Sequence, residues 1–125
     1  MDARFRAARV GQGMCVVTGE RQAAAETAED LREALSAAVA AGCERVLVDL
    51  QESERIDPLV LGAILGSQRR LNRFGGEMAV ACANAGGWAD LERAAIPRLM
   101  TAFEDRSEAF EWLGVDLSEI RPSAL

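Results

Sequence analysis

The sequence predicts an α/β fold built on a mixed sheet of four to five strands. Two short apolar runs, Val46–Leu50 and Met78–Cys82, are typical of strands that are buried on both faces of a parallel sheet. Stretches with helical spacing of apolar residues separate these runs, so strand and helix alternate along the chain. We therefore expect right-handed parallel crossovers, about four helices mainly on one face, and an opposite face that is partly open or used for docking.

An N-terminal hairpin is the first predicted element. In Arg4–Val10, apolar Phe5 and Ala7 alternate with arginines, as expected of a half-buried strand. Gly11–Gly13 supplies a turn, and the apolar run Met14–Val17 follows as the second strand.

A first long helix is predicted from about Gln22 to Ala41. Leucines and alanines recur there at the spacing of one helical stripe. Gly42 follows at the position where a left-handed residue commonly ends a helix. The central strand Val46–Leu50 comes next.

The start of the second long helix is strongly specified. Asp57 can accept hydrogen bonds from the free N–H groups of a first helical turn, and Pro58 at the first helical position loses no bond it could have made. The helix is expected to run to about Phe74 and to end at Gly75-Gly76.

The C-terminal third is predicted to hold two shorter helices and a last strand. Trp88–Ala95 has the pattern of a short helix that Pro97 stops, and Leu99–Phe103 that of a short strand. Asp105–Glu108 resembles a capping box ahead of the final helix, and Gly114 follows that helix.

The chain of 125 residues fits one domain. We assign residues 1–114 to this domain and residues 115–125 to a C-terminal tail. No apolar run approaches the length of a membrane span, and Met1–Arg6 lacks the apolar region of a secretory signal. The expected location is the cytoplasm, without direct membrane insertion.

Composition excludes several kinds of chemistry. The chain has no histidine, and all 14 of its basic residues are arginine, so histidine-dependent catalysis, Schiff-base lysines and a phosphate-loop lysine are ruled out. The net charge of −6, with arginines interspersed among acidic residues, argues against nucleic acid as a partner. We predict that the protein is not an enzyme.

Three isolated cysteines, Cys15, Cys43 and Cys82, each stand in an apolar context. Their odd number and spacing favour buried reduced thiols over a disulfide or a metal cluster. We expect no metal and no cofactor.

The segment Val46–Gly66 resembles the central signature of the STAS domain, the fold of bacterial anti-sigma factor antagonists. That family shows a strand ending in Asp-Leu-Ser, a loop, and then a hydrophobic residue followed by Asp-Ser-Ser/Thr-Gly-Leu-Gly at a helix start. Asp49-Leu50 match the strand end, while Ile56-Asp57 and Leu61-Gly62 match the loop and the helix start.

Further similarities to the family lie on both sides of this signature, at Val16–Glu20, Gly75-Gly76 and Ser107–Ala109. The resemblance covers roughly Phe5–Leu113. Each match alone is weak, but their order and spacing agree with the elements read from the residues.

The resemblance implies a non-catalytic, regulatory protein-interaction module that lacks the usual phosphorylatable serine. In partner-switching members that serine follows the Asp and is phosphorylated by a kinase that is also the anti-sigma factor; here the position is Pro58. Leu59 and Val60 replace the usual Ser/Thr and Gly, and Gln22 stands where the family has an acidic residue. The implied partner-binding residues are Gln22, Asp57, Pro58, Leu59, Val60, Leu61 and Gly62.

The implied partner is a kinase-like anti-sigma factor or a subunit of a signalling complex, and the oligomeric state is left open. Two other functions stay open: a cytoplasmic STAS accessory subunit of a membrane lipid or anion transport system, and a scaffold that senses a small ligand in a pocket between sheet and helices. The nearest hydroxyls to Pro58 are those of Ser53 and Ser67, neither of which aligns with the phosphorylation site of the family.

Several side chains have an ordinary structural interpretation beside the functional one. Leu59 and Val60 either belong to the core or form an apolar docking spot, and Trp88 suits a core position better than an interface. Arg69, Arg70 and Arg73 are typical of a solvated helix face rather than an anion site. Asp49, at a strand end, has no nucleophile, base or metal partner near it in sequence.

Overall fold

The structure is a computed structural model that describes residues 5–19, 23–51, 53–114 and 123–124. A single sheet carries helices on both faces, and a short 3₁₀ turn at Ala25–Thr27 precedes the first helix. The elements are β1 (Arg6–Gly11), β2 (Met14–Thr18), α1 (Ala28–Ala40), β3 (Arg45–Asp49), α2 (Pro58–Arg73), β4 (Glu77–Ala81), α3 (Ala85–Arg93), α4 (Ile96–Leu99), β5 (Thr101–Phe103), α5 (Arg106–Leu113) and β6 (Ser123–Ala124).

The strand order across the sheet is β5-β4-β3-β2-β1-β6. The first two strands form the predicted antiparallel hairpin, and β2 to β5 pair in parallel. The predicted α/β class and the five predicted strands are confirmed. Val46–Leu50 is buried between β2 and β4, as its apolar, β-branched composition predicted.

The main core lies between the sheet and helices α1 to α4. Alternate side chains of the strands, such as Val17, Val46 and Val48, face this layer and contact the apolar stripes of α1 and α2. Leu35 and Ile64, one on each of these helices, are fully buried there.

A second and smaller core lies on the other face of the sheet. Phe110 and Leu113 of α5 pack there against Val16, Leu47 and Ala79. Helix α5 contacts β3, β4 and β5, so the part of this face over those strands is covered. The expectation of helices mainly on one face holds for α1 to α4, with α5 as the helix that crosses to the opposite side.

The C-terminal elements differ in detail from the prediction. Helix α3 begins at Ala85 instead of Trp88, because the side chain of Asn84 caps it by accepting from the N–H of Gly86 at 2.7 Å. Pro97 does not simply stop that helix. It lies in the first turn of the four-residue α4, where its missing N–H costs no helical bond.

Part of the predicted C-terminal tail belongs to the sheet. Ser123–Ala124 pair antiparallel with β1 and form β6. An edge strand offers unpaired N–H and C=O groups to any extended segment that reaches it. A strand of two residues is too short to show an alternating sequence pattern, so the sequence did not predict β6. Residues 115–122 and Leu125 of the predicted tail lie outside the described residues.

Two of the three cysteines depart in this structure from the expectation of reduced thiols. Cys15 and Cys43 form a disulfide, with their Cα atoms 6.1 Å apart. They are separated by 28 positions in sequence, and only the parallel β2-α1-β3 crossover brings them together. Cys82 is free and buried, as expected.

Candidate partner-binding site

The residues singled out from the family resemblance lie at the start of α2, near the carboxyl ends of the central strands. Asp57 is the N-cap of the helix, and its side chain accepts a hydrogen bond from the N–H of Leu59 at 2.8 Å. Pro58 occupies the first helical position and is exposed. The predicted helix start is confirmed, and the Asp57 carboxylate has a clear structural role as a cap.

The first turns of α2 separate the predicted residues into exposed and buried ones. Leu59 is 58% exposed, whereas Val60 is fully buried in the main core and Leu61 packs partly against it. Gly62 is exposed, with open space where a side chain would be. Residues three apart in a helix share a face, so Leu59 and Gly62 lie on one exposed strip.

Val60 is therefore removed from the predicted contact residues, because a fully buried side chain cannot touch a partner. We use the name Leu59 surface for Asp57, Pro58, Leu59 and Gly62. Gln22 lies outside the described residues. Ala23, the next residue in the chain, accepts a hydrogen bond on its carbonyl oxygen from the N–H of Asp57 at 2.8 Å.

A groove of about 500 Å³ borders the Leu59 surface. The segment before α1 forms one wall and the segment before α2 the other, and an isolated parallel bridge between Ala23 and Ile56 joins them. The lining residues include Ala23, Glu26, Arg55, Ile56, Asp57 and Pro58.

Asp90 on α3 holds the loop that leads to α2. Its Oδ2 atom accepts from the backbone N–H of Ile56 at 2.8 Å and from Nε of Arg55 at 3.0 Å, and its Oδ1 atom pairs with Arg93. The Ile56 N–H lowers the pKa of Asp90 most; burial opposes this shift, and Arg55 and Arg93 add to it. A buried, ionised carboxylate thus fixes the loop directly before the Leu59 surface.

Two glycines of α3 allow this helix to approach the same loop. A Cβ atom at Gly86 would lie 2.6 Å from the carbonyl oxygen of Glu54, and one at Gly87 would overlap the carbonyl oxygen of Ser53. Only residues without a side chain fit these positions. Together with the hydrogen bonds to Asp90, these close contacts hold residues 53–56 against α3.

A second network fastens the end of β3. Asp49 is fully buried; its Oδ2 atom accepts from Nε of Arg106 on α5 at 2.8 Å, and its Oδ1 atom accepts from the N–H of Gln51 at 3.0 Å. The side chain of Gln51 donates to the hydroxyl of Thr18 at 2.9 Å. Both oxygens of Asp49 thus have structural partners, which agrees with a structural rather than a catalytic role.

The two hydroxyls nearest to Pro58 in sequence do not face solvent. Ser53 is buried and donates to the carbonyl oxygen of Leu50 at 2.8 Å, and Ser67 is buried within α2. Trp88 packs partly against the main core, in line with its structural interpretation. Arg69 and Arg70 are exposed, and Arg70 donates to the hydroxyl of Ser36.

Sequence reasoning missed the residues that support the surface. The sequence around Asp90 does not indicate its role, because its hydrogen-bond partners Ile56 and Arg55 lie 34 and 35 positions earlier in the chain. A sequence signal did exist for Gly86 and Gly87: two adjacent glycines inside a helix, where they are unfavourable, point to a close backbone approach.

Comparison with known proteins identifies the family. The sequence profile described as "Mlab, STAS domain" matches residues 12–90. The chain belongs to the STAS domain family. The resemblance noted in the sequence is thereby confirmed, and no curated protein sequence matches the chain.

Solved structures share the fold of this STAS domain. A Thermotoga maritima protein described as a candidate anti-sigma factor antagonist superposes with a TM-score of 0.76 at 18% identity, covering 88% of this chain and 95% of its own. An anti-sigma factor antagonist from Mycobacterium paratuberculosis gives 0.74 at 16% identity, with 89% and 95% covered. The Bacillus anti-sigma factor antagonist SpoIIAA, unphosphorylated, gives 0.67 at 16% identity, with 90% and 98% covered.

Two features are absent from the described part of this STAS domain. None of its described helices combines the length and apolar character needed to cross a membrane. No group of three or more His, Cys, Asp or Glu side chains in the same ranges is arranged to hold a metal ion.

Proposed function

We propose that this STAS domain is a non-catalytic regulatory module of the anti-sigma factor antagonist type, which acts in the cytoplasm by binding a protein. The proposed partner is a kinase-like anti-sigma factor or a subunit of a signalling complex. The observation that carries the proposal is the exposure of Leu59, 58%, at the first turn of α2. Its supports are the fixed loop behind this residue and the shared fold with anti-sigma factor antagonists.

The Leu59 surface has the properties of a small docking site. Leu59 offers an apolar anchor, and the exposed glycine at position 62 leaves room for a partner to come close to the helix backbone. The loop before it is held by Asp90 and by close contact with α3, so little conformational entropy is lost on binding. Exposed apolar groups on a rigid base favour a protein partner.

The same surface lacks a hydroxyl at the family phosphorylation position. A phosphate at a helix N-terminus adds a charge of about −2 and repels acidic partners. Pro58 cannot accept a phosphate, and Leu59 beside it cannot either. We therefore propose that partner binding at this surface is not switched by phosphorylation of α2.

The non-catalytic part of the proposal is supported by the engagement of the buried carboxylates. Asp49 is held by Arg106 and Gln51, and Asp90 by Arg55, Arg93 and the backbone of Ile56. The chain also has no histidine and no lysine to serve as a base or nucleophile.

The test is a calorimetric titration of the whole chain with a kinase-like anti-sigma factor from the same genome. Leu59→Asp should weaken binding at least tenfold, because it places a charge at the apolar anchor. Leu99→Asp is the matched control: Leu99 is 54% exposed but lies on α4, and should bind like the wild type. Equal affinity of wild type and Leu59→Asp would contradict the proposed surface.

The alternatives predict other results. Co-purification with an ATPase subunit or a permease, and not with a sigma regulator, would favour an accessory subunit of a transport system. A thermal shift with nucleotides or fatty acids would favour a ligand-sensing scaffold.

A further inference from the structure

Phe74, the residue that ends α2, is 77% exposed, the highest exposure of any large apolar side chain in the described ranges. It borders a groove of about 450 Å³ between the C-terminal ends of α1 and α2. Val39, Cys43 and Leu71 supply apolar surface in this groove, and Glu44 lies at its polar side. An exposed aromatic ring thus stands beside an apolar groove of a size that can hold one.

Exposed charges of both signs lie at the groove or next to its lining residues in the chain. Glu44 lines the groove, Arg73 precedes Phe74, and Glu77 follows Gly76, and all three are exposed. The N–H of Glu77 donates to the carbonyl oxygen of Glu44 at 2.8 Å, so the two acidic residues are close neighbours. Within the described ranges, no ion pair involves Arg73, Glu44 or Glu77.

We propose that this surface binds a second copy of the same chain around a two-fold axis. Phe74 of each copy enters the groove of the other, and Arg73 of each copy faces Glu44 and Glu77 of the other. In a two-fold interface the same surface of each copy must carry both partners of every contact. This surface carries the Phe74 ring and a groove for it, and it carries Arg73 and two carboxylates for that cation.

The composition of the surface favours a second copy over a different partner. An aromatic anchor in an apolar pocket, with paired charges at the rim, is the usual arrangement of a binding hot spot, and here both members belong to one chain. Two phenylalanine side chains bury about 150–250 Å² each, a small part of the roughly 1,200–2,000 Å² of a standard interface. We therefore expect a weak, concentration-dependent dimer.

The proposed dimer is compatible with partner binding at the Leu59 surface and does not depend on it. Phe74 and Leu59 lie at opposite ends of α2, whose 16 residues span about 24 Å. A dimer through Phe74 therefore leaves one Leu59 surface free on each copy.

Sedimentation velocity of the whole chain over a concentration series tests the proposal. The wild type should show a monomer–dimer equilibrium, and Phe74→Asp should weaken it at least tenfold. Leu99→Asp is the control, because Leu99 is also an exposed apolar residue but lies on α4. This variant should associate like the wild type. A wild type that stays monomeric at all concentrations, or a Phe74→Asp variant that dimerises normally, would overturn the proposal.

A charge exchange tests the pairing itself. Arg73→Glu and the double variant Glu44→Arg/Glu77→Arg each place like charges face to face, so each variant alone should be monomeric. An equimolar mixture of the two should form a heterodimer, because every contact between residue 73 and residues 44 and 77 is then of opposite charge. Circular dichroism verifies that both variants are folded, and a mixture that does not associate rules out the proposed arrangement.

Discussion

Asp90 links the loop before α2 to helix α3 through one carboxylate. It accepts hydrogen bonds from the backbone of the loop before α2 and pairs with Arg55 of that loop and Arg93 of its own helix. Both arginines are largely exposed, so the bond to the N–H of Ile56, which is buried, has the largest structural effect. The residue acts on the Leu59 surface by positioning it.

Replacing Asp90 by Ala is expected to lower the free energy of unfolding by about 1–3 kcal/mol, because the N–H of Ile56 would stay buried without an acceptor. Urea unfolding at neutral pH measures this effect. Glu92→Ala, at an exposed carboxylate of the same helix, is the control and should have little effect. An unchanged midpoint for Asp90→Ala would show that the loop does not depend on this bond.

The lowered pKa of Asp90 also predicts a contribution to acid sensitivity. Because the folded-state pKa lies below the unfolded value of about 3.9, the stabilisation is complete above that pH and is lost as the pH falls through the folded-state pKa. Between neutral pH and acid, wild type should therefore lose more stability than Asp90→Ala. Parallel pH profiles would contradict this assignment.

The element with most influence on the proposed function is α2. Its N-terminus combines the Asp57 cap with Pro58, its first turn exposes Leu59, and its buried stripe anchors it in the main core. A helix held in this way presents a defined first turn, where the positive end of the dipole favours negative charge. This helix start has no hydroxyl at positions 58 and 59.

Pro58→Ser is expected to create a phosphorylation site. The variant should become phosphorylated at position 58 by a kinase-like anti-sigma factor and ATP, whereas the wild type should carry no phosphate on the first turn of α2. Stability should fall by no more than about 1 kcal/mol, because proline mainly restricts the unfolded chain here. Peptide mapping by mass spectrometry reads the result, with Pro58→Ala as control, and an unmodified Pro58→Ser chain would contradict the prediction.

At the scale of the whole molecule, one sheet separates two cores and brings distant residues together. The crossover β2-α1-β3 places Cys15 beside Cys43, and the carboxyl ends of β2 to β4 gather the loops that shape the Leu59 surface. The disulfide and the proposed partner surface lie towards opposite ends of the strands. A reducing cytoplasm would keep the two cysteines as thiols.

Reduction of the disulfide is expected to lower the free energy of unfolding by about 3–4 kcal/mol, because a loop of this length loses its constraint in the unfolded chain. Guanidinium unfolding with and without a phosphine reductant measures the difference. Cys43→Ala cannot form the bond, so the reductant should not change the free energy of unfolding of this variant. Identical curves for oxidised and reduced wild type would show that the bond does not stabilise the fold.

The sequence alone determined the α/β class, the order of the main elements, the central position of Val46–Leu50 and the start of α2 at Asp57-Pro58. These features rest on local signals: β-branched apolar runs, helical periodicity, and residues that cap or begin a helix. These local patterns can be interpreted without knowing which elements pack against each other. The STAS resemblance followed from the same segments.

Only the tertiary structure decided which predicted residues face a partner and which support them. Val60 and Leu59 are neighbours of similar character, and the face that α2 turns towards the sheet places Val60 in the core and Leu59 on the surface. The bond from Asp90 to the loop before α2, the disulfide and β6 likewise join residues far apart in sequence. Their partners are chosen by sheet order and helix packing, which depend on the whole chain and leave no periodic trace in any short segment of it.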